Sequence, residues 1–423
     1  MQLTLSNPRI SRDDAKAVRI LFAPYGTRGD VQPLIPLAMA LLARDHEIRF
    51  VVPANSVAWV SGLGFPCQSN GVDVEAEVQA IESDVSAMRR HVRHMGDEII
   101  PRLFDSVSRA AADADLLVSS GVPLVAPSVA EYRGIPNVYA LFCPAALPNR
   151  ESPPPVFERQ TLPRWINALL WRVAPWLGDL VLRTPINKGR ARLGLSPTRS
   201  PMAGLMGATM LVAADPELAP LAAGAPATVL QTGPWVFRDP SVLDPRVETF
   251  LRAGPRPIYV GFGSMVASKS LGLAQLVVQA ARTVGCRLIV AGGWASLDAG
   301  LAGLEGVLAI SEAPHDRLFP RVAAAVHHGG AGTTTAAARA GIPQVVVPHV
   351  LDQFYWARRV ELLALGPQSV PVGRVTADAL ATRMAAVLNE PRFRDRARDL
   401  GLRAAGRDGV PAAIRHLERF LNP

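Results

Sequence analysis

The feature that most constrains the fold is a single stretch near the C-terminus, residues 324–356, which reads AAVHHGGAGTTTAAARAGIPQVVVPHVLDQFYW. A short apolar strand leads into a glycine-rich turn, and the threonines at 333–335 begin a helix. The helix ends at Gly341-Ile342-Pro343, because a glycine followed by a proline is typical of a helix C-terminus. Residues 344–347 then form an apolar strand of the kind that is buried in a parallel sheet. This order of elements predicts an α/β fold.

The glycine-rich turn has the chemistry of an anion site. Backbone N–H groups and the positive end of a helix dipole favour phosphate, and Gly329, Gly330 and Gly332 allow a ligand to approach the backbone closely. A turn of this kind also fits an ordinary strand-to-helix connection with its histidines under the sheet. Asp352-Gln353, which follows nine residues after Pro343, does not belong to such an ordinary connection.

This stretch resembles the donor-binding signature of family 1 glycosyltransferases, in the form found in bacterial antibiotic and sterol glycosyltransferases. The resemblance lies in the spacing of His328, Gly341, Pro343, Pro348 and Asp352-Gln353. In that signature a His-Gly-Gly turn is followed by Gly-x-Pro, by a proline five residues later and by Asp-Gln four residues after that. The resemblance implies the GT-B fold, in which two Rossmann-like domains face a central cleft and a helical tail ends the chain.

The resemblance also implies which residues hold the donor, a UDP- or dTDP-linked sugar. By this resemblance the glycine-rich turn and a Phe-Gly-Ser turn bind the phosphates. Asp352 and Gln353 bind the sugar hydroxyls, and the loop at 313–315 binds the nucleobase. Ala336 stands where plant members carry a ribose-binding glutamate, which does not decide between UDP and dTDP. The residues assigned to the donor are Thr27, Arg28, Ser264, Ala313, His315, His328, Gly329, Gly330, Gly332, Thr333, Asp352 and Gln353.

The candidate catalytic residue lies in the first strand-to-helix turn, Gly26-Thr27-Arg28-Gly29-Asp30. By its position Asp30 fits the N-cap of a helix predicted over residues 31–44. The turn also resembles the Gly-[Ser/Thr]-Arg-Gly-Asp turn of the antibiotic and sterol branch, where plant members carry a catalytic histidine. The resemblance implies that Asp30 accepts the proton of an acceptor hydroxyl as the oxygen attacks the anomeric carbon. Whether Asp30 is the base or only orients the acceptor stays open.

The length of 423 residues predicts two domains rather than one core. Strand and helix patterns near the N-terminus are repeated, as architecture, in the second half. The predicted division is an N-terminal acceptor-binding Rossmann-like domain over 1–233 with a helical insert at about 145–200, a linker over 234–257, and a C-terminal nucleotide-sugar-binding Rossmann-like domain with its C-terminal helices over 258–423.

Three tryptophans, Trp165, Trp171 and Trp176, lie in the helical insert among large apolar residues and arginines. Their spacing of five to six residues is a poor fit to a single helix face. The insert therefore has two interpretations: it covers the sheet, or it forms a hydrophobic acceptor pocket or a surface that sits against lipid. In the resembling family this region shapes the acceptor site.

Composition excludes several classes of protein. The net charge of +8 rests almost wholly on arginine and suits an anionic ligand or an acidic membrane surface. Basic runs interleaved with aromatic residues are missing from the sequence, so we do not expect nucleic-acid binding. Cys67, Cys143 and Cys286 lie far apart and favour a reducing compartment. Without a signal-peptide pattern or an apolar run of transmembrane length, we predict a cytoplasmic protein whose membrane contact is at most peripheral.

The predicted function is an inverting, metal-independent transfer of a hexose or deoxyhexose to a hydroxyl, or a similar nucleophile, of a hydrophobic small molecule. A polyketide or macrolide is the favoured acceptor, and a sterol or glycolipid at a membrane surface is the alternative. A sugar-nucleotide epimerase is disfavoured by the Gly-Thr-Arg-Gly-Asp turn together with Asp352-Gln353, and a non-catalytic helper is disfavoured because Asp30, His328 and Asp352 are intact. The Asp-x-Asp at Asp113 and Asp115 has no further ligands near it, so we expect no metal and no cofactor beyond the nucleotide sugar.

Overall fold

The computed structural model describes residues 17–80, 85–207, 209–263, 267–292, 301 and 303–421. Within these residues two all-parallel sheets form. The first has the order β3-β2-β1-β4-β5-β6-β7 and contains β1 (Arg19–Tyr25), β2 (Glu47–Val52), β3 (Cys67–Ser69), β4 (Leu116–Gly121), β5 (Asn137–Leu141), β6 (Thr209–Val212) and β7 (Val229–Gln231). The second has the order β10-β9-β8-β11-β12 and contains β8 (Ile258–Gly261), β9 (Leu288–Ala291), β10 (Val307–Ile310), β11 (Ala324–His327) and β12 (Gln344–Val346).

Helices connect the strands of both sheets. The first half contains α1 (Arg28–Val31), α2 (Leu34–Leu42), α3 (Val57–Gly62), α4 (Val74–Ala80), α5 (Val85–His94), α6 (Ile100–Ala110), α7 (Ala126–Arg133), α8 (Arg164–Arg192) and α9 (Pro201–Met206). The second half contains α10 (Pro245–Arg252), α11 (Ala267–Val284), α12 (His315–Leu318), α13 (Ala331–Arg339), α14 (Gln353–Leu362), α15 (Ala377–Asn389), α16 (Pro391–Ala404) and α17 (Val410–Leu421).

The strands of the first sheet are buried on both faces. Ile20 and Phe22 of β1 belong to one apolar cluster, while Leu21, between them, belongs to the cluster on the opposite face. Phe22 stacks on Phe50 of β2 with ring centroids 4.9 Å apart. Because alternate side chains of a strand point to opposite faces, such near-continuous apolar runs fit a parallel sheet covered by helices on both sides.

Each sheet has one topological switch point. Strand β1 pairs with β2 on one side and with β4 on the other, and β8 is placed in the same way between β9 and β11. At such a point the connections leave to opposite faces of the sheet, so a crevice opens at the carboxyl ends of the two central strands. The predicted α/β class with two Rossmann-like halves is confirmed.

The chain crosses between the two halves twice, and the two crossings lie side by side. The Gly409 backbone N–H donates to the Pro234 carbonyl at 2.9 Å, and a Cβ on Gly409 would lie 2.1 Å from the Gly233 carbonyl oxygen. Beyond Gly409, α17 returns to the first half, where Ile414 and Leu417 pack in the same apolar cluster as α2. We propose the predicted division near residues 233 and 258, with one correction: α17, predicted to belong to the C-terminal domain, packs on the first half.

Two local expectations were wrong. The helix predicted over residues 31–44 is interrupted, because Pro33 has no N–H to continue α1, and α2 begins after it. The N-cap of α1 is Thr27, and Asp30 is the third residue of that helix rather than its cap. The insert also contains one continuous 29-residue helix, α8, despite the tryptophan spacing.

Candidate active site

Asp30 lies at the carboxyl end of β1, beside the switch point of the first sheet. Its Oδ2 accepts a hydrogen bond from the Thr27 backbone N–H at 2.8 Å, while Thr27 Oγ1 accepts one from the Gly29 N–H at 3.3 Å. This reciprocal capping fixes the orientation of the carboxylate. Asp30 remains half-buried rather than enclosed. The contact to the helix start therefore holds the side chain without removing it from the cleft.

The end of β4 closes the site beneath Asp30. Gly121 has a φ of +73°, and a Cβ there would lie 2.1 Å from the Tyr25 carbonyl oxygen and 3.1 Å from Asp30 Cγ. Only glycine can fill this position without moving the aspartate. The neighbouring Ser120 Oγ donates to the Asp30 carbonyl at 2.7 Å. Two adjacent residues of β4 thus fix the Asp30 main chain and leave room for its carboxylate.

The surroundings of Asp30 raise the pKa of its carboxyl to about 7. Burial is the main cause, and the negative charge of Asp352 adds to it, whereas the hydrogen bonds from Thr27 work in the opposite direction. A carboxylate with an ordinary pKa is a weak base at neutral pH, so this shift brings Asp30 into the range that suits a general base.

Asp352 approaches Asp30 from the second half of the chain, at the start of α14. Its Oδ2 accepts a hydrogen bond from Trp356 Nε1 at 3.0 Å, and Trp356 is fully buried. Burial raises the pKa of Asp352 to about 6. The negative charge of Asp352 opposes the ionisation of Asp30 and is one of the causes of its raised pKa.

Gln353 supports the loop that precedes α14. Its Oε1 accepts hydrogen bonds from the backbone N–H groups of His349, at 2.8 Å, and Val350, at 3.2 Å. The side chain is 7% exposed, so most of it is packed inside the protein. The predicted contact of Gln353 with a sugar hydroxyl stays a prediction, and the structure adds a positioning role for its amide oxygen.

His328 follows β11 at the switch point of the second sheet. A Cβ on Gly330 would lie 2.4 Å from its Nε2, and one on Gly263 would lie 2.9 Å from its Cε1, so two glycine turns enclose the ring. Burial, together with the neighbouring His327 and His349, lowers the pKa of His328 to about 3. The imidazole is therefore neutral at pH 7, and it can exchange a hydrogen bond with a ligand without carrying a charge.

The buried Nδ1 atom of His328 has no hydrogen-bond partner among the residues that the structure describes. The Gly261 backbone works against the lowering of the His328 pKa, but its effect is smaller than that of burial. An unsatisfied buried nitrogen costs free energy, which a bound group or a small movement of the ring would recover.

The neighbouring His327 has a structural role instead. It is fully buried, and its Nδ1 accepts the Gly329 N–H at 3.0 Å. The proton of the neutral ring is thereby assigned to Nε2, which donates to Gln344 Oε1 at 2.9 Å. Of the two adjacent histidines, His327 is buried as the last residue of β11 and holds the turn, while His328 remains half-buried beside the cleft.

The start of α13 offers the backbone N–H groups that were predicted for a diphosphate. Gly330 is the N-cap, and Gly329 before it has a φ of +91°. A Cβ on Gly332 would meet no atom within 4 Å, so space is open above the first turn. Thr334 turns inward to donate to the Gly330 carbonyl at 2.9 Å, whereas Thr333 is half-buried beside the open space.

The loop predicted for the nucleobase is built around His315. Its ring stacks on Phe319 with centroids 4.3 Å apart, and its Nε2 lies 3.1 Å from the Tyr259 hydroxyl. Burial lowers the pKa of His315 to about 4. Ala313, two residues earlier, packs against the same apolar cluster. The loop is held rigidly at the end of β10, and its contact with a base stays a prediction.

Arg28 joins the two halves of the chain across the cleft. Its Nη1 lies 2.5 Å from Glu312 Oε2, and its guanidinium stands over the Trp59 ring, 4.9 Å from the centroid. Both Arg28 and Thr27 thus make contacts within the protein, and their predicted donor contacts are untested. Ser264 lies outside the described residues.

Sequence reasoning missed several residues that shape this site. Ser120 and Gly121 end a strand, a position where functional residues gather in doubly wound sheets. Trp356 lies four residues after Asp352, which is one helical turn, so that pair could have been found from spacing. Tyr259 has no local signal, because its partner His315 is distant in sequence.

Asp113 and Asp115 make ion pairs and lie at the amino ends of the strands, away from the cleft. Asp113 pairs with Arg49 at 2.5 Å, and Asp115 pairs with Arg19 at 2.8 Å. In the part of the chain that the structure describes, we find no group of three or more His, Cys, Asp or Glu side chains suited to a metal ion.

Comparison with known proteins identifies similar chains. Residues 295–415 match the family described as Erythromycin biosynthesis protein CIII-like, C-terminal domain. A vancomycin aglycone glucosyltransferase of Amycolatopsis orientalis is 35% identical over 82% of this chain and 85% of its own length. A sterol 3-beta-glucosyltransferase of Arabidopsis thaliana is 27% identical over 96% of this chain and 68% of its own length.

The fold is also that of solved glycosyltransferases. The structure of the glycosyltransferase VinC in complex with dTDP superposes with a TM-score of 0.68 and 22% identity, over 95% of this chain and 99% of that one. At this level of identity the likeness shows the fold, and it confirms the predicted GT-B arrangement. Among the described helices, none is both long enough and apolar enough to cross a membrane.

Proposed function

The chain belongs to family 1 of the glycosyltransferases and has the GT-B fold, and we propose that it transfers a hexose or deoxyhexose from a UDP- or dTDP-sugar to a hydroxyl of a hydrophobic natural product. The observation that carries this proposal is that Asp30 and His328 lie at the switch points of two sheets whose halves are joined across the cleft by the Arg28–Glu312 contact. In GT-B enzymes the nucleotide sugar and the acceptor meet between two such crevices.

The donor half of the reaction rests on the start of α13. The leaving nucleoside diphosphate gains negative charge as the glycosidic bond breaks, and N–H donors that are already oriented stabilise this charge. Gly329, Gly330 and Gly332 permit a close approach of the diphosphate, and the neutral His328 ring supplies a further polar contact. In this proposal Asp352 accepts hydrogen bonds from the sugar hydroxyls, and the hydrogen bond from Trp356 that orients its carboxylate supports this role.

The acceptor half rests on Asp30. Its carboxylate takes the proton as the acceptor O–H bond breaks, the oxygen forms a bond to the anomeric carbon, and the bond from that carbon to the diphosphate oxygen breaks on the opposite face. The sugar therefore changes its anomeric configuration in a single displacement. Because the pKa of Asp30 is raised to about 7, its carboxylate is a stronger base than that of an ordinary aspartate and can accept the proton at neutral pH.

The favoured acceptors follow from the relatives. The vancomycin aglycone glucosyltransferase acts, by its name, on the vancomycin aglycone, and this chain is more similar to it than to the sterol glucosyltransferase. A sterol or glycolipid acceptor is the second candidate, because the chain also aligns along nearly its whole length with a sterol glucosyltransferase. To test this, the protein is incubated with UDP-glucose or dTDP-glucose and with a glycopeptide, macrolide or sterol acceptor, and the products are identified by mass. If no acceptor is glycosylated with either donor, the proposed glycosyltransferase function is contradicted.

We expect transfer to continue after the protein is treated with excess EDTA and freed of divalent ions. In our proposal glycine amides, the α13 helix start and His328 neutralise the diphosphate, a task that other enzymes give to Mg²⁺ or Mn²⁺. The measurement compares initial rates before chelation, after chelation and after each metal is added back. A rate that falls with EDTA and recovers with one metal would refute metal independence.

The pH dependence of transfer should shift when Asp352 is replaced by Asn. Asp30 is active as the deprotonated base, so the wild-type kcat/KM for the acceptor should rise with pH through about 7. Removing the Asp352 charge favours ionisation of Asp30, so the rise should move to lower pH; it should not vanish, because burial remains the larger cause of the raised pKa. Rates are measured from pH 5 to 9 at saturating donor. A rise that stays in place would mean that the two carboxylates are not coupled.

A further inference from the structure

Helix α8 exposes a stripe of apolar side chains to solvent, whereas an ordinary amphipathic helix turns its apolar side toward the core. Trp165 is 70% exposed and Trp176 is 57% exposed, and the stripe continues through aliphatic side chains that are each at least 40% exposed. Its members are Trp165, Leu169, Val173, Trp176, Leu177, Leu180 and Val181. Steps of three and four residues from Trp165 to Leu180, with Leu177 and Val181 each next to another member, keep them on one side of the helix over about 24 Å.

The opposite side of α8 accounts for its packing. Leu182 and Ile186 are buried against α6, and a Cβ on Gly189 would lie 2.1 Å from the Phe104 ring. Trp171, on this inner side, donates its Nε1–H to the Ser152 carbonyl at 2.9 Å. The helix is therefore already anchored to the domain, and the exposed stripe is not required for that attachment.

The acidic residue of α8 is buried, whereas two of its arginines are exposed beside the stripe. Its acidic residue, Asp179, is buried and accepts hydrogen bonds from the Ser200 hydroxyl, at 2.5 Å, and the Met202 N–H, at 2.9 Å. Arg172 and Arg183 are exposed, and each follows a stripe tryptophan by seven residues, so both stand at the edge of the stripe. Neither arginine forms an ion pair within the described residues.

We propose that the stripe of α8 docks on an anionic phospholipid surface. Two exposed indoles, several aliphatic side chains, unpaired arginines and an acid turned inward are the features of a helix that lies in the interface of a bilayer. The two indoles alone present roughly 250 Å², if each offers about 200 Å² when fully exposed. A second copy of this chain fits the face less well, because a symmetric contact would bring its arginines together.

This surface does not depend on the identity of the acceptor, and vesicle binding can be measured without transfer activity. The full-length protein is mixed with vesicles of phosphatidylcholine containing 30% phosphatidylglycerol, and with vesicles of phosphatidylcholine alone, and the bound fraction is measured by flotation. We expect binding to the anionic vesicles that weakens as salt is raised, with a blue shift of tryptophan fluorescence.

The double variant Trp165→Ala/Trp176→Ala should bind anionic vesicles at least tenfold more weakly, and Arg172→Glu/Arg183→Glu should lose binding at low salt. The matched control is Leu402→Ala/Val242→Ala, which removes apolar residues that are 71% and 77% exposed elsewhere. Unchanged far-UV circular dichroism and dTDP affinity show that each variant is folded. Wild-type protein that ignores anionic vesicles, or a double variant that binds like wild type, would overturn the proposal, as would a dimer in sedimentation that the tryptophan substitutions dissociate.

Discussion

Replacement of Asp30 by Asn should lower kcat by about 10²-fold or more while the affinity for the nucleotide sugar stays near that of the wild type. The amide oxygen of Asn can still accept the Thr27 N–H, so the capping contact at 2.8 Å is kept. The substitution removes the capacity to take a proton and little else. The measurement is kcat with an accepted aglycone, together with calorimetric titration of UDP and dTDP.

The matched control for Asp30→Asn is Asp244→Asn at the start of α10. Asp244 caps its helix through a hydrogen bond of 2.7 Å from the Arg246 N–H, and its helix lies at the linker, away from the two switch points. A loss of kcat at position 30 but not at position 244 separates catalysis from capping. Near-normal turnover in Asp30→Asn would reduce Asp30 to a helix-stabilising residue.

Replacement of His328 by Ala should weaken the binding of UDP and dTDP by about tenfold and lower kcat by about 10²-fold. The ring lies between the Gly330 and Gly263 turns, so its removal takes a polar group from the wall of the proposed diphosphate site. Because the pKa of His328 is about 3, the loss should be the same at pH 6 and pH 8. Calorimetry gives the affinity and steady-state kinetics gives kcat.

Two further variants sharpen the test of His328. His328→Gln keeps a side-chain N–H and should recover part of the affinity, whereas His416→Ala, on α17 away from the cleft, should leave both quantities unchanged. A wild-type nucleotide affinity and a wild-type kcat in His328→Ala would remove this residue from the donor site.

The fold was predictable because its determinants are local. The strands of both halves are apolar runs, and Gly341, with a φ of +69°, ends α13 as its position before a proline predicted. The helix after β1 was predicted less well, because the cap depends on Thr27 and on a break at Pro33 rather than on apolar periodicity. The helical insert was predicted but the stripe on α8 was not, because Trp171 lies on the inner side and obscures the face that Trp165 and Trp176 share.

The candidate site was predictable where residues are neighbours in sequence, as at Gly329 and Gly330. The pKa of Asp30 was not, since it depends on burial and on Asp352, more than 300 residues away. The different roles of His327 and His328 also could not be predicted from the sequence, because the hydrogen-bond partner of His327 is Gln344, on another strand. Distances across the cleft follow from how two domains pack, which a linear pattern does not encode.

The central claim, a single displacement assisted by Asp30, is tested most directly by the configuration of the product. An α-linked UDP-glucose or dTDP-glucose is supplied with an accepted aglycone, and the anomeric proton coupling of the purified product is measured by nuclear magnetic resonance. Attack from the face opposite to the diphosphate predicts a β-glucoside. An α-glucoside would contradict the account, because retention requires a second displacement or a front-face mechanism that does not use Asp30 in this way.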